Sequence, residues 1–495
     1  MNTITIKEIF GNESVELPKE IDPEAKVSPI LYDGDVKKDS LVFFTERIHG
    51  DNPPIKISFD SEPPYAAVVN KSQEIIESEV PLIKVKSVRR SLASAYSAEN
   101  RIDYSRLKII GITGTNGKTT TATIIYKVLR SIGYSVGFIG TGKILVNDNA
   151  LSDEFYSMTT PDPSLLYSSL GIMQSEGCEY VVMEVSSHSL ALGKVAPIKF
   201  KYAIFTNLSE EHSDFHPSLD EYYTTKLSLF KQAECGLFNV DDYYGRRAYN
   251  EVEIPKKSIG IIYEADATAR DVITDFSVGS QFYYNAKNLS FKVKSALPGA
   301  FNIYNVMCAL GCLTDIGIKP CIAKRAIEHI KGIDGRMEKY ESDVTAVIDY
   351  AHTPDAFYNC LKTLKTSNNN RQNLIVVFGC GGDRDKKKRK EFGRLASQYA
   401  EKIILTEDNN RTETFADIIA DIARGIDYKE YRVIRDRESA IRSAIYEARA
   451  GDTIAIIGKG HERYKIENGS SLPFDERAII KDALIKRRQI NASKP

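Results

Sequence analysis

At 495 residues the chain is longer than one ordinary hydrophobic core can organise, and its length suggests about three domains. Lys plus Arg total 66 against 67 Asp plus Glu, so no net field draws the molecule to nucleic acid or to an anionic membrane, and any phosphate affinity has to be local. No apolar run approaches the roughly 20 residues that cross a bilayer, and the opening M-N-T-I-T-I-K-E-I-F lacks the basic and apolar regions of a signal peptide, so a cytoplasmic protein is expected. The seven cysteines are scattered without C-x-x-C pairs, which argues against a disulfide frame or a structural zinc site. Cys308 and Cys312, one helical turn apart, read as core packing.

Residues 1–105 alternate short apolar runs, such as Leu41 to Phe44 and Ala66 to Val69, with Pro/Gly/Asp turns, and read as a small α/β domain. Its polar end, A-E-N-R-I-D-Y-S-R, precedes the most informative stretch, I-I-G-I-T-G-T-N-G-K-T-T-T from Ile109 to Thr121. Leu107, Ile109, Ile110 and Ile112 form a buried strand, and Ala122, Ile125, Leu129 and Ile132 recur at helical spacing until Gly133. A glycine-rich loop between strand and helix is a phosphate cradle: Gly114 and Gly117 let the backbone come close, free N–H groups face the anion, and Lys118 adds charge. Thr119 is placed to bind Mg²⁺ through its hydroxyl. The general pattern has a glycine where this chain has Ile112, so the loop is a variant, G-T-N-G-K-T.

From 106 to 335 strands and helices alternate, which implies a mainly parallel, doubly wound sheet of the P-loop type. Strand Tyr180 to Val185 carries Glu184 near its carboxyl end, and strand Ala203 to Thr206 runs into N-L-S-E-E-H-S-D-F-H. Ligands of such sheets gather at the carboxyl ends of strands, so these groups should converge on the phosphate loop. Glu184 is a candidate second Mg²⁺ contact beside Thr119, because a carboxylate ending a buried strand needs a compensating cation. His212 and His216, at i and i+4, suggest zinc, but with no cysteine or further histidine nearby a single imidazole, His212, on magnesium is preferred, with His216 at the rim.

Residues 336–495 repeat this logic as a Rossmann-like domain. Strands at Ala346 to Ile348, Leu374 to Phe378, Ile403 to Leu405 and Thr453 to Ile457 run into D-Y-A-H-T-P-D, G-C-G-G-D-R-D, T-E-D-N-N-R-T-E and G-K-G-H-E. Polar loops at one end only of four strands mean a site on one face, opposite the nucleotide. The run K-K-K-R-K, Lys386 to Lys390, reads as a solvated helix start with no nucleic-acid role.

Taken together, G-T-N-G-K-T-T, T-T-P-D-P, M-E-V-S-S-H, F-T-N-L-S-E-E-H, F-N-I-Y-N, G-R-M-E, D-Y-A-H-T-P-D, G-C-G-G-D-R-D and G-K-G-H-E resemble the Mur ligases, in family order and over nearly the whole chain. The nearest branch adds the third residue of the peptidoglycan stem peptide. The resemblance implies a monomeric ligase with small-molecule substrates: ATP phosphorylates a carboxylate of a UDP-linked muramoyl peptide, and an amino acid attacks the acyl phosphate. On matching positions, Gly114, Thr115, Asn116, Gly117, Lys118, Thr119 and Thr120 hold phosphates. Thr119 and Glu184 hold one Mg²⁺ and His212 a second, served by Lys226 as a carbamate. Lys118, Lys226, Glu184 and His212 would form the catalytic set, and an unmodified Lys226 ammonium would repel the metal. Asn302 and Asn305 lie near the adenine, while Arg336 and Asp349 reach ATP from the last domain, beside His352.

On the acceptor side the resemblance points to Asp33, Thr159, Thr160, Ser186 and Lys194. For the amino acid it points to Arg384, Asp408, Asn409, Asn410, Arg411, Gly458 and Glu462. Two arginines and a glutamate suit a substrate with an extra carboxylate and an extra ammonium, which favours meso-diaminopimelate over lysine. Three departures stand out. Asn410 replaces a proline in D-N-N-R. Asp33-Gly34-Asp35 replaces an Asp-Ser-Arg near the uracil and diphosphate. Lys194 replaces an arginine and loses its bidentate fork. Glu211 stands for an aspartate. The alternatives are a Mur-type paralogue with a different carrier, such as a pseudomurein precursor, and a non-catalytic nucleotide-binding scaffold. The D-N-N-R and G-K-G-H-E loops and the extra N-terminal domain argue against folylpolyglutamate synthetase.

Overall fold

The structure is a computed structural model that describes residues 4–11, 15–31, 34–47, 52–60, 62–151, 158–366, 372–467 and 470–492. Three separate sheets of five, 11 and six strands organise the chain, with two additional two-stranded pairs, in the α/β layering expected from the alternating pattern.

The first sheet runs Ile4–Thr5, Lys26–Leu31, Ser40–Phe43, Ala66–Asn70, Leu82–Val85 in space, antiparallel only at its first pair. Helix Val88–Glu99 lays Val88, Leu92 and Ala95 on Leu41, Phe43, Val68 and Ile83. Ser87 caps that helix by accepting from the Arg90 N–H, the arrangement expected of an N-cap serine.

The 11-stranded sheet is the frame of the site. Its parallel centre is ordered Val136–Gly140, Tyr180–Glu184, Lys108–Thr113, Phe200–Phe205, Gly236–Asn239, Lys256–Gly260. Lys108–Thr113 is the first of these in the chain and sits between the third and the fourth. The chain therefore switches direction at this strand, which opens a crevice beyond its carboxyl end. Glu184 pairs with Ile112 on one side and Phe205 with Thr113 on the other. Along the strand Ile110 and Ile112 pack on one face and Ile109 on the opposite one, the period-two alternation of a sheet covered on both sides. Gly111 sits where a Cβ would come within 2.7 Å of the Phe200 ring, so the close strand-to-ring packing needs glycine. Helices Lys118–Ser131 and Ala300–Asp315 cover one face, with Cys308 and Cys312 buried in that core, and Pro163–Ser175 and Leu219–Leu227 cover the other.

An antiparallel hairpin at Lys143–Ala150 and, beyond strand Ala267–Asp275, which joins Lys256–Gly260 in parallel, two further antiparallel pairings up to Ser295 extend the sheet beyond what the alternating pattern foretold. Short hairpins carry no crossover helix and so leave no such mark in the sequence. The first helix stops as its glycine predicts: Gly133 is left-handed at φ 96, and the N–H groups of Gly133 and Tyr134 turn back onto the carbonyls of Arg130 and Leu129.

The third sheet is ordered Glu338–Glu341, Thr345–Asp349, Thr453–Ile457, Leu374–Phe378, Lys402–Leu405, Tyr431–Val433, parallel except for the first pair. The four strands with polar carboxyl-terminal loops are thus neighbours, and those loops share one edge. Among the described residues no helix is long and apolar enough to cross a membrane.

On the far face of this sheet Arg437 and Glu476 form a buried pair at 2.6 Å, and Arg437 also donates to the Ile457 carbonyl beside Gly458. Replacing Arg437 with methionine strands the Glu476 carboxylate in a dry core. The expected cost is about 3–5 kcal/mol, read as a lower urea midpoint at an unchanged slope; an unchanged midpoint would contradict this account.

Candidate active site

The phosphate loop leaves strand Lys108–Thr113 and becomes helix Lys118–Ser131 without a side-chain cap, because its N-cap is Gly117 at φ 86. The first helical N–H groups therefore stay available to an anion at the positive end of the helix dipole. Gly114, at φ 145, faces Thr206 so closely that a Cβ would lie 1.9 Å from its hydroxyl, and a Cβ on Gly117 would lie 2.4 Å from Asn305 Oδ1. Neighbouring loops hold the turn in shape. Asn116 N–H donates to Asn207 Oδ1 at 2.9 Å, and Thr206 Oγ1 donates to the Asn116 carbonyl at 2.6 Å.

Lys118 Nζ turns back onto the carbonyls of Gly114 and Thr115 at 2.8 and 2.9 Å. Lys226, from helix Leu219–Leu227, is 1% exposed and donates one hydrogen bond, to the same Gly114 carbonyl at 2.9 Å, while lying 4.5 Å over the Tyr222 ring. Burial, reinforced by Lys118, pulls the Lys226 ammonium well below its ordinary value; burial also lowers Lys118, opposed by Glu184. Two amines thus converge on one carbonyl in a dry pocket.

Glu184 is fully buried and satisfied by oxygen and nitrogen donors: Thr119 Oγ1 at 2.8 Å and Thr141 N–H at 3.0 Å. Arg336 Nη2 reaches Thr119 Oγ1 at 3.0 Å from the third sheet. The neighbouring His212 stands in the left-handed region at φ 57, its ring 4.8 Å from His188. Burial, then His188, keeps His212 far below its usual protonation range, and burial holds His188 down to about 4. Both imidazoles are neutral at neutral pH, which suits a ligand role. His216, expected at the rim, is instead buried against Phe215 and Tyr222. Among the described residues no cluster of three His, Cys, Asp or Glu forms a metal cage. Thr119 and Glu184 nevertheless offer hard oxygen donors side by side, the partial set with which proteins hold Mg²⁺ when phosphates complete the shell.

Asn302 and Asn305 are buried on helix Ala300–Asp315 and bonded to each other at 3.1 Å, with Thr120 and Tyr304 lining the same cleft. Asp349 accepts from the N–H groups of Met337 and Ala351, both at 2.8 Å, and so ties the G-R-M-E turn to its own strand; burial raises its carboxyl. Arg336 stacks 4.6 Å from the Tyr350 ring. His352 is held down to about 3 by burial, and its Nδ1 lies 3.0 Å from the Tyr350 carbonyl.

On the acceptor side Thr160 Oγ1 donates to the Glu184 carbonyl at 2.9 Å and accepts from the Ser186 N–H at 3.1 Å, while Thr159 meets Thr141 at 3.1 Å. Lys194 lines this end of the cleft, paired at 2.6 Å with Asp162. Asp33 lies outside the described residues, and Asp35 is an exposed carboxylate near Lys37.

Arg384, Asp408, Asn409, Arg411, Gly458 and Glu462 line the opposite wall. Asn409 is the hub, accepting from Lys459 Nζ and the Ile466 N–H, both at 2.9 Å, and donating to Glu462 at 3.1 Å. Lys459, which the sequence reading passed over, is buried 3.5 Å from both Asp408 and Glu462. Burial pushes Asp408 up, but Lys459 and Arg437 outweigh it and hold its carboxyl below the ordinary value, whereas burial and Asp408 raise Glu462. Arg411, left-handed at φ 52, donates to the Gly382 carbonyl at 2.7 Å. Asn410 departs from expectation: it does not line the cleft, its carbonyl accepts from the Glu413 N–H, and its Oδ1 is buried without a partner among the described residues.

The two walls meet. Asn116 donates to Asp355 at 3.1 Å and accepts from Thr353 at 3.2 Å, so phosphate loop and third sheet touch around one cleft of about 590 Å³, within the range of ligand sites.

Two family descriptions match this chain: the Mur ligase middle domain over residues 112–313 and the Mur ligase, glutamate ligase domain over residues 335–460. A UDP-N-acetylmuramoyl-L-alanyl-D-glutamate–2,6-diaminopimelate ligase of Clostridium tetani is 35% identical over 93% of this chain and 95% of its own. The enzyme of the same name from Aquifex aeolicus is 37% identical over 91% and 92%. A solved structure of a ligase so named superimposes with a TM-score of 0.64 at 27% identity, covering 98% of this chain and 99% of the other. The chain belongs to the Mur ligase family and is an ATP-dependent ligase.

Proposed function

We propose that this ligase joins an amino acid, meso-diaminopimelate in preference to lysine, to the D-glutamate γ-carboxylate of UDP-N-acetylmuramoyl-L-alanyl-D-glutamate. One observation carries the reading: a single cleft is lined by the phosphate loop, by Thr160 and Lys194, and by Arg384, Asp408 and Glu462. Three substrates can meet there. The names and extents of the relatives support the choice of acceptor and amino acid.

In this reading the carboxylate oxygen of the acceptor attacks the γ-phosphorus of ATP, and ADP leaves. The free amine of the amino acid then attacks the acyl carbon, the C–N bond forms, the C–O bond breaks and phosphate departs. Phosphoryl transfer needs positioning and neutralised charge more than covalent help. Lys118 and the N–H groups of the loop, from Gly114 to Thr120, hold the phosphates, and Arg336 reaches the same corner from the facing sheet. Asn302 and Asn305 shape the base pocket. The contacts of Asn116 with Thr353 and Asp355 hold the two walls together, and closure of that kind protects an acyl phosphate that would otherwise hydrolyse.

Magnesium, when bound, supplies positive charge to the phosphoryl oxygens. Thr119 and Glu184 would hold one ion, and His212 with a modified Lys226 a second. Lys226 suits that modification. Burial favours the neutral, nucleophilic form of its amine, and addition of that amine to CO₂ forms an N–C bond, releases a proton and leaves a carbamate anion where a protonated amine would repel the metal. On the far wall Arg384 and Arg411 suit the carboxylates of diaminopimelate, and Asp408 with Glu462 its distal ammonium. Lys194 keeps a charge at the acceptor end. Cytoplasmic, monomeric action belongs to the same reading.

Lys118→Ala is expected to lower turnover at least about a hundredfold while circular dichroism and melting temperature stay near wild type; retained turnover would refute the phosphate role. Lys226→Ala should be nearly inactive and partly restored by a short carboxylic acid, so failure of every such acid to restore activity would count against a carbamate. With the UDP-dipeptide, ATP and equal diaminopimelate and lysine, mass spectrometry should find the diaminopimelate product in excess. A lysine product in excess would overturn the assigned amino acid, and no product at all would overturn the acceptor.

A further inference from the structure

The basic run from Lys386 to Lys390 has no part in the reading above, and it is not the uniformly solvated helix start that its composition suggests. Lys386, Lys387 and Lys390 are exposed, whereas Arg389 is 1% exposed and bonded to Glu413 and Asp421. Lys388 also turns inward, its side chain 15% exposed. Its Nζ donates to Glu211 Oε1 at 3.2 Å and to the His352 carbonyl at 3.0 Å.

This pair spans the cleft. Lys388 opens helix Lys387–Tyr399 on the third sheet, and Glu211 lies in the loop that follows strand Phe200–Phe205 of the second. The Glu211 side chain is 6% exposed, and its Oε2 is buried with no hydrogen-bond partner among the described residues. Lys118 and Lys226, both on the central sheet, also act on this carboxylate. Lys388 is the cation that reaches it from the opposite wall. Four residues earlier, in the loop that leads into this helix, Arg384 lines the end of the cleft assigned to the amino acid. An ion pair this little exposed is poorly screened, and removing one member strands the other.

We propose that Lys388 is a positioning residue of the ligation reaction: by pairing with Glu211 it seats the Arg384 loop on the loop after strand Phe200–Phe205, which itself bonds to Thr115 of the phosphate loop, and so couples amino-acid binding to nucleotide binding. The inference rests on the ligase reading above. It goes beyond that reading by giving the coupling to one side chain that touches no substrate in the assignment. A bound triphosphate adds negative charge next to Glu211, and the Lys388 ammonium offsets that carboxylate only while the two walls are together. Nucleotide binding and wall contact are therefore mutually favourable, and reciprocity requires the amino acid to feel the nucleotide.

The test compares wild type, Lys388→Met and Lys388→Arg by calorimetric titration of diaminopimelate with and without a non-hydrolysable ATP analogue and Mg²⁺, together with steady-state kinetics. In the wild type the analogue should tighten diaminopimelate binding at least about fivefold. Lys388→Met should lose most of that enhancement and raise KM for the amino acid more than KM for ATP, and Lys388→Arg should keep the larger part. In a Glu211→Gln background the Lys388→Met change should add little, because the pair is already broken. No enhancement in the wild type, full enhancement in Lys388→Met, or multiplicative effects of the two substitutions would each overturn the proposal. Should Lys388→Met fail to fold, Lys388→Gln, which keeps a donor for the His352 carbonyl, serves in its place. Product formation by the wild type is scored separately. A wild type that couples its ligands but forms no amide refutes the ligase reading alone, and one that forms amide while Lys388→Met stays fully coupled refutes the role of Lys388 alone.

Discussion

Two buried amines share one carbonyl at the centre of this molecule. Lys118 and Lys226 both donate to the oxygen of Gly114, and among the described residues neither has a carboxylate at hydrogen-bond distance. Such a concentration of positive charge in a dry pocket is stable only if something negative arrives or if the amines give up protons, and burial lowers both. The turn can hold this arrangement because Gly114 and Gly117 adopt backbone conformations that leave no room for a side chain. Everything nearby follows from keeping that turn in place. Asn116, Thr206 and Asn207 clamp its backbone, and Glu184 fixes the hydroxyl of Thr119.

The sheet topology explains why those partners are at hand. Strand Lys108–Thr113 lies between Tyr180–Glu184 and Phe200–Phe205, so three loops far apart in the chain leave the same edge within a few residues of each other. The switch in strand order creates a gap that no crossover helix fills, and the cleft lies at that gap. The third sheet repeats the device with four adjacent strands and faces its loops back toward the first cleft. The result is one cavity with two chemistries: phosphate-holding donors on one wall, and on the other arginines and acids arranged around Asn409.

Polar groups that connect the walls do more than line them. Asn116 with Asp355 and Thr353, Arg336 with Thr119, and Lys388 with Glu211 each place a charged or hydrogen-bonding group of one sheet on a loop of the other. These contacts are polar, and beside them Phe276 and Phe301 pack into the apolar core of the third sheet. Contacts of this kind can be made and broken at modest cost, as a ligase that admits three substrates in turn requires.

Much of this was legible before any coordinates. Local patterns located the turn between strand Lys108–Thr113 and helix Lys118–Ser131, because a glycine-rich turn between an apolar strand and a helix has a conformation and a polarity of its own whatever surrounds it. The same holds for Glu184 and for the four polar loops of the last domain, since strand ends are visible as breaks in apolar runs. Other features were out of reach. Within the sequence, K-K-K-R-K is five charges at a helix start; only packing distinguishes the exposed Lys387 from the inward Lys388 and the buried Arg389, because the partners Glu211, Glu413 and Asp421 are distant in the chain. His216 was expected at the rim and is core, Lys459 carried no expectation and donates to Asn409 from a buried position, and Asn410 was expected in the amino-acid pocket and does not line the cleft. The sequence by itself determined where the glycine-rich turn lies and which strands end in polar loops, through local backbone preference and hydrophobic period. Tertiary structure decided which charges face each other across the cleft, because the free energy of a buried charge depends on a partner that no local pattern can specify.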